Sequence, residues 1–279
     1  MPELPEVEVV RRDLEKEIVG RRVKTVDVRG ARSVRRHRSG AEFASRLEGR
    51  TIARVERRGK YLVHRLDDGQ ALVVHLGMSG QLLRPASAKD PLAKHTHVVI
   101  TFTQGGQLRF VDPRTFGEMF VADPDTLGEH VEELRHLGMD PLEESMQWEG
   151  FGRLLTARRT KLKPLLMDQK FLAGIGNIYS DEILFAAGLR WDRPSDSLTP
   201  EEVRRLYRAM VEILQSAVKH RGSSLSDAQY VDLFGKPGGF QALHAVYDRE
   251  GLACPRCRRI IVRERTGGRS TYFCATCQV

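Results

Sequence analysis

The sequence predicts an α+β protein of several domains: a leading helix with an antiparallel β-sandwich or barrel, then an all-helical segment, then a four-cysteine β-hairpin. Three observations predict it. Short β-branched runs punctuated by glycine fill residues 23–121, helical periodicity takes over beyond an acidic stretch at 123–149, and all four cysteines fall between 254 and 277. At 279 residues the chain exceeds the usual single-domain size of roughly 100 to 150 residues. The expected segments are 1–135, 136–240 and 241–279.

Val7, Val10, Leu14 and Ile18 recur at helical spacing and Gly20 stands beyond them as a stop, so an amphipathic helix begins almost at residue 1. Tyr61–Leu66 and Ala71–Leu76 flank Asp67-Asp68-Gly69, and His97–Thr103 and Gln107–Val111 flank Gly105-Gly106. Both read as β-hairpins. In the helical segment, Thr199 is an N-cap, Pro200 takes the first helical position, and Glu202 completes a capping box. Val203, Leu206, Met210, Ile213, Leu214 and Ala217 form the core face of that helix. Residues 222–239 show no period and read as a long loop, which in a compact domain is often functional.

Composition excludes several classes. With 41% hydrophobic and 29% charged residues, the chain is neither disordered nor fibrous. No apolar run approaches the roughly 18 residues of a membrane span, and Glu3, Glu6 and Glu8 stand where a signal peptide carries basic residues. A cytoplasmic protein is expected. The net charge of +8 is unevenly spread: residues 21–60 hold fourteen Lys or Arg against four acids, 118–150 hold one against ten, and 249–279 hold seven against two. Two basic regions of this kind suit a polyanion, and without a basic amphipathic helix nucleic acid is favoured over a membrane surface.

Cys254-x2-Cys257, sixteen residues, then Cys274-x2-Cys277 is zinc-ribbon spacing. Four thiolates close the tetrahedron and leave no open position, so such a zinc is structural. Gly267-Gly268 between two β-like runs makes the stapled segment a basic hairpin that could enter a nucleic-acid groove.

The run PELPEVE at 2–8 resembles the opening of the formamidopyrimidine-DNA glycosylase family, bacterial base-excision repair enzymes that remove oxidised purines. The resemblance extends through RRGKYL at 57–62, HLGMSG at 75–80, KHTHV at 94–98, DPRTFG at 112–117, KPLLMDQ at 163–169, GIGNIYSDEILF at 174–185, GKPGGF at 235–240 and the cysteine ribbon. It implies an N-terminal β-sandwich with a leading helix, a helix-two-turns-helix domain and a zinc-finger hairpin. The implied partner is double-stranded DNA carrying an oxidised base or abasic site, bound by a monomer with one structural zinc. The related endonuclease VIII branch takes oxidised pyrimidines, but its opening is PEGPE-like rather than PELPE. A non-catalytic damage binder would have no need of Pro2, Glu3 and Lys60.

By this resemblance the amine of Pro2, bared by removal of Met1, attacks the sugar C1′ and forms an iminium. An α-amino group titrates at about 7.7 to 8.0, and a helix N-terminus lowers that further, so it is unprotonated more readily than a lysine. Glu3 corresponds to the general acid and Glu6 orients the N-terminus. Lys60 acts at the departing base and in β-elimination, and Arg269 at the DNA phosphate and in δ-elimination. Met78, Arg114 and Phe116 match the trio that fills the void left by the flipped nucleotide, with Thr115 where the family often has a basic residue. His95 and Arg114 match DNA contacts. Asn177 in GIGNIY binds phosphate with the amides of a helix N-terminus, near the charges of Arg158, Arg159 and Lys163. The loop 222–240 corresponds to the lid over the flipped base.

Overall fold

Helix α1 (Leu4–Ile18) forms where the apolar spacing places it, and it buries Leu4, Val7, Val10, Leu14 and Ile18. The computed structural model describes residues 1–143, 146–225 and 229–279, and the chain forms two compact units. The first unit contains 1–135 with 220–239, and the second 136–219 with 240–279.

Among the described residues of the first unit, eight strands form two four-stranded antiparallel sheets. One has the order β1 (Val23–Val28), β6 (Thr96–Phe102), β7 (Gln107–Val111), β5 (Gln81–Leu83). The other runs β2 (Ile52–Arg58), β3 (Tyr61–Leu66), β4 (Ala71–His75), β8 (Glu118–Ala122). Alternation puts Val26, Val98, Ile100, Leu108 and Phe110 of the first sheet in one core with Val55, Leu62, Leu72, Val74 and Met119 of the second, and α1 packs into the same core. The architecture is therefore a sandwich with a helix. Helix α2 (Gly40–Leu47) adds Phe43 and Leu47, and its N-cap Ser39 accepts from the Glu42 amide at 3.1 Å. The short helices α3 (Leu127–His130) and α4 (Glu132–Arg135) end the unit's first segment.

The long loop differs from the expectation that grouped it with the helical segment 136–240. Its residues 220–239 pack into the sandwich unit. Tyr230 and Leu233 are buried in the sandwich core, and Arg221 joins Asp232 at 2.7 Å and Asp13 of α1. Burial of two large apolar side chains and a guanidinium shared between two carboxylates outweighs proximity in sequence.

The second unit contains α5 (Trp148–Thr156), α6 (Leu162–Leu166), α7 (Asn177–Ala187) and α8 (Pro200–Lys219), followed by the hairpin β9 (Val262–Thr266) and β10 (Arg269–Phe273). The capping box of α8 is present: Glu202 N donates to Thr199 Oγ1 at 3.3 Å and Thr199 N to Glu202 Oε2 at 3.0 Å. The hairpin, expected as a separate segment 241–279, packs within this unit. Glu182 of α7, buried, accepts the amides of Ala245, Val246 and Tyr247 at 2.8 to 2.9 Å and so ties the helix to the chain entering the ribbon. Among the described residues no helix is long and apolar enough to cross a membrane.

Candidate active site

The strand registers bring the sandwich residues together. Tyr61 pairs with His75, and His75 with Glu118. Lys60 immediately precedes Tyr61, Met78 follows His75 by three residues, and Phe116 precedes Glu118 by two, so all three leave the β2-β3-β4-β8 sheet at one end. Helix α1 runs beside β2 in the opposite direction: Gly20 N donates to Ile52 O at 2.8 Å, Arg11 Nη1 to Val55 O at 3.4 Å, and Glu8 binds Arg57 at 2.9 Å. The N-terminus of α1, with Pro2 and Glu3, therefore emerges at the same end as Lys60.

Glu3 is the N-cap of α1 and is buried. Its amide donates to Glu6 Oε2 at 2.9 Å, and Glu6 Oε1 accepts the amide of Ser223 at 2.8 Å. The Glu6 carboxylate thus bridges the start of the chain and the long loop. Gly222 permits this closeness: at φ 77° it is in the left-handed region, and a Cβ there would stand 2.8 Å from Glu6 Oε1. His75 stacks on Tyr61 with ring centroids 4.4 Å apart, and burial pushes its pKa down to about 4, so it is neutral near pH 7.

Met78 and Phe116 are exposed, as is Arg114, whose Cζ lies 5.3 Å from the Phe116 ring centroid. Their two loops are bolted together beneath them. Ser79 Oγ donates to Asp112 Oδ1 at 2.6 Å, the Arg114 amide donates to the same oxygen at 3.2 Å, and the Gly117 amide donates to Asp112 Oδ2 at 2.7 Å. Asp112 is fully buried, so two loops carrying three exposed side chains rest on one satisfied carboxylate. His95 is exposed beside it, at φ 65°, and its carbonyl accepts the Asp112 amide at 3.1 Å.

In the second unit, Asn177 is the first residue of α7, after Gly174 at φ 87° and the N-cap Gly176. Its Oδ1 is buried with no hydrogen-bond partner among the described residues. Gln169 shapes the preceding loop by accepting the Gly174 amide at 2.8 Å and donating to Ile175 O at 2.9 Å. Lys163, expected among the DNA-binding residues as charge beside Asn177, is buried, with Nζ 2.8 Å from Asp181 Oδ1 and 2.9 Å from Ser270 O. An ammonium taken out of water requires such partners. Burial pushes the Asp181 carboxyl up, opposed by the Lys163 ammonium and by the Tyr272 amide, 2.9 Å from Oδ2. Asp181 lies one turn beyond Asn177 and Ser270 adjoins Arg269, so Lys163 braces the helix of one against the strand of the other. Arg158 is engaged with Asp168 at 2.9 Å and lies over Phe171, whereas Arg159 is exposed, 3.7 Å from Asp196.

The four cysteine Sγ atoms lie within 4.8 Å of one another, with Cys254–Cys277 at 3.9 Å and Cys257–Cys274 at 3.4 Å. A tetrahedron with Zn–S bonds of about 2.3 Å has S···S edges of roughly 3.8 Å, whereas a disulfide needs about 2.05 Å. The donor set fits zinc.

Sequence reasoning passed over Ser223, Asp112, Ser79, Asp181 and Glu8. Each of the last four lies inside or beside a quoted motif, Ser79 and Asp112 in loops and Glu8 and Asp181 on the helices α1 and α7, and the signal was a polar or acidic residue within a motif.

A profile of the formamidopyrimidine-DNA glycosylase N-terminal domain matches residues 1–119, that of its H2TH domain residues 137–229, and that of a zinc finger found in FPG and IleRS residues 251–279. The chain belongs to the formamidopyrimidine-DNA glycosylase family. Family members from Thermus thermophilus and Pelotomaculum thermopropionicum are 45% identical over 281 residues and 42% identical over 278, each alignment covering 100% of this chain and 98% or 99% of the relative. The crystal structure of the MutM (Fpg) protein from Thermus thermophilus superposes with a TM-score of 0.87 at 44% identity, covering 99% of this chain and 98% of that one. A complex of Lactococcus lactis Fpg with DNA containing an abasic site gives 0.89 at 35% identity, covering 99% of both. As a member of this family the chain is a DNA repair enzyme, a glycosylase and AP lyase, and its four cysteines fit one structural zinc ion.

Proposed function

We propose that the chain excises oxidised purines such as 8-oxoguanine and formamidopyrimidines from duplex DNA, with the Pro2 amine as nucleophile, acting as a monomer in the bacterial cytoplasm. One observation carries the reading: the N-terminus of α1, the Lys60 turn and the loops of Met78 and Phe116 share one end of one sheet. A nucleophile, a second amine and residues able to fill a duplex void belong together only in an enzyme that extrudes a nucleotide and acts on its sugar.

The Pro2 nitrogen, freed of Met1, attacks C1′ of the extruded nucleotide and the base departs. Glu3 donates a proton to O4′ as the C1′–O4′ bond breaks, and the Pro2 nitrogen, having lost its own proton, forms the C1′=N bond of the iminium. Glu6 fixes the Glu3 backbone and anchors the long loop, which covers the base over residues 222–240; positions 226–228 of that loop lie outside the described residues. Lys60 assists base departure and β-elimination from the iminium. Met78 and Phe116 replace lost stacking, and Arg114 offers hydrogen bonds to the orphaned base. Asn177, Arg158, Arg159, His95 and Arg269 contact the DNA backbone, and Arg269 assists δ-elimination. Lys163 acts from within by holding the Arg269 strand. Zinc supplies no chemistry at the sugar and keeps the hairpin folded.

Borohydride trapping tests this, using a duplex with one 8-oxoguanine opposite cytosine and protein whose mature N-terminus has been verified, followed by peptide mass mapping. The expected result is one covalent adduct at Pro2. No adduct with binding intact, or a strong preference for thymine glycol, overturns it.

A further inference from the structure

The loop Asp112–Gly117 must enter a duplex, yet most of its tip lies outside any core. Its backbone is also strained. Thr115 sits at φ 55°, a region that β-branched residues rarely occupy, and such a conformation persists only where the surroundings over-determine it. Asp112 holds the loop from beneath. From the other side it meets the 3-10 turn Ala31–Val34 and the residue after it.

Arg32 Nε donates to Thr115 O at 3.2 Å, Arg35 Nη1 to Gly117 O at 2.9 Å, and Arg35 Nη2 to Phe116 O at 3.5 Å. Two guanidinium groups therefore cap three successive carbonyls of one loop. Arg35 is itself fixed: Nη2 lies 2.9 Å from Glu118 Oε2, and buried Glu118 also binds Arg36 at 2.7 Å. The turn is thus anchored to the first residue of β8, directly after the loop it braces. Lysine, with a point charge and no planar fork, could not span these acceptors.

We propose that Arg32 and Arg35 are positioning residues that hold the strained loop so that Arg114 and Phe116 point into the duplex, and that through it they set the preference for the base opposite the lesion. This rests on the reading of Arg114 and Phe116 as void-filling residues. It assigns a specificity role to a turn that carries no group acting at the sugar.

The test compares Arg32→Ala, Arg35→Ala and Arg35→Lys with Phe116→Ala. Single-turnover excision of 8-oxoguanine is measured opposite cytosine and opposite adenine, together with cleavage of a preformed abasic site and the salt dependence of binding. Each arginine variant is expected to lower the ratio of excision to abasic cleavage at least fivefold and to narrow the cytosine-over-adenine preference, with an unchanged salt slope. Arg35→Lys keeps the charge and the aliphatic stem, carries the test if Arg35→Ala does not fold, and should fail to restore the ratio. An unchanged ratio with a salt slope shallower by about one unit would make these arginines phosphate contacts and overturn the proposal. A parallel fall of both activities would also overturn it. If Phe116→Ala itself leaves ratio and preference intact, the void-filling reading fails and the proposal fails with it. If Phe116→Ala changes them while the arginine variants do not, the proposal fails alone.

Discussion

Glu8 of α1 and Arg57 of β2 form a buried ion pair, Oε2 to Nε at 2.9 Å, and the same guanidinium donates from Nη1 to the Gly59 carbonyl at 3.2 Å. Gly59 precedes Lys60. The pair thus fixes the turn that carries one amine against the helix whose start carries the other, and Arg11 at 3.1 Å and Arg12 at 2.7 Å complete the partners of the Glu8 carboxylate.

Replacing Glu8 with Gln should therefore cost roughly 3 kcal/mol, because it removes the charge of one member of a buried, hydrogen-bonded ion pair. Burial pushes the Glu8 carboxyl up, but hydrogen bonds from Arg11, Arg12 and Arg57 outweigh it and hold the pKa below the ordinary value. A depressed carboxyl contributes stability that is present above its unfolded pKa of about 4.3 and is lost as pH falls through the lower folded value. Denaturant unfolding from pH 7 to pH 3 should show a flatter acid limb in Glu8→Gln than in the parent chain. Equal slopes would refute the assignment.

Gly77→Ala should separate the loops that carry Met78 and Phe116. Gly77 sits at φ 62°, and a Cβ there would lie 2.5 Å from the Gly117 nitrogen and 2.7 Å from the Phe116 carbonyl carbon, both backbone atoms that cannot step aside. A stability loss of about 2 kcal/mol is expected, together with an excision rate reduced at least tenfold. Thermal melting and single-turnover kinetics check it; a variant with parental rates would show that the close approach is not required.

Removing zinc, by chelation or Cys257→Ser, should weaken DNA binding more than it disturbs the sandwich core, since the cysteines cluster with Phe185, Val246, Ile261 and Tyr272 of the second unit alone. Metal analysis, fluorescence anisotropy on abasic duplex and near-UV circular dichroism report the three quantities. Metal-free protein that binds as tightly as the loaded form would rule out a role for the ribbon in DNA binding.

Much of the fold was legible locally. The hairpins around Asp67-Asp68-Gly69 and Gly105-Gly106 follow from alternation and from glycines at φ 85°, 84° and 83°. The α8 capping box is likewise a short-range signal, and the ribbon is a repeated one, two Cys-x2-Cys pairs sixteen residues apart. Met78 and Phe116 were legible only through the family motifs, because by residue type alone each reads as core.

What the sequence by itself determined is the order and type of the elements and the metal staple, since periodicity, caps and cysteine spacing act between near neighbours. Only the tertiary structure decided that Glu6 takes the amide of Ser223 across 217 positions, that Asp112 and Ser79 join two loops, and that Lys163 turns inward to Asp181. The physical reason is the same in each case. A carboxylate or ammonium taken out of water must find a partner, and which partner lies within 3 Å is set by how sheets and helices pack, information that no local pattern of residues carries.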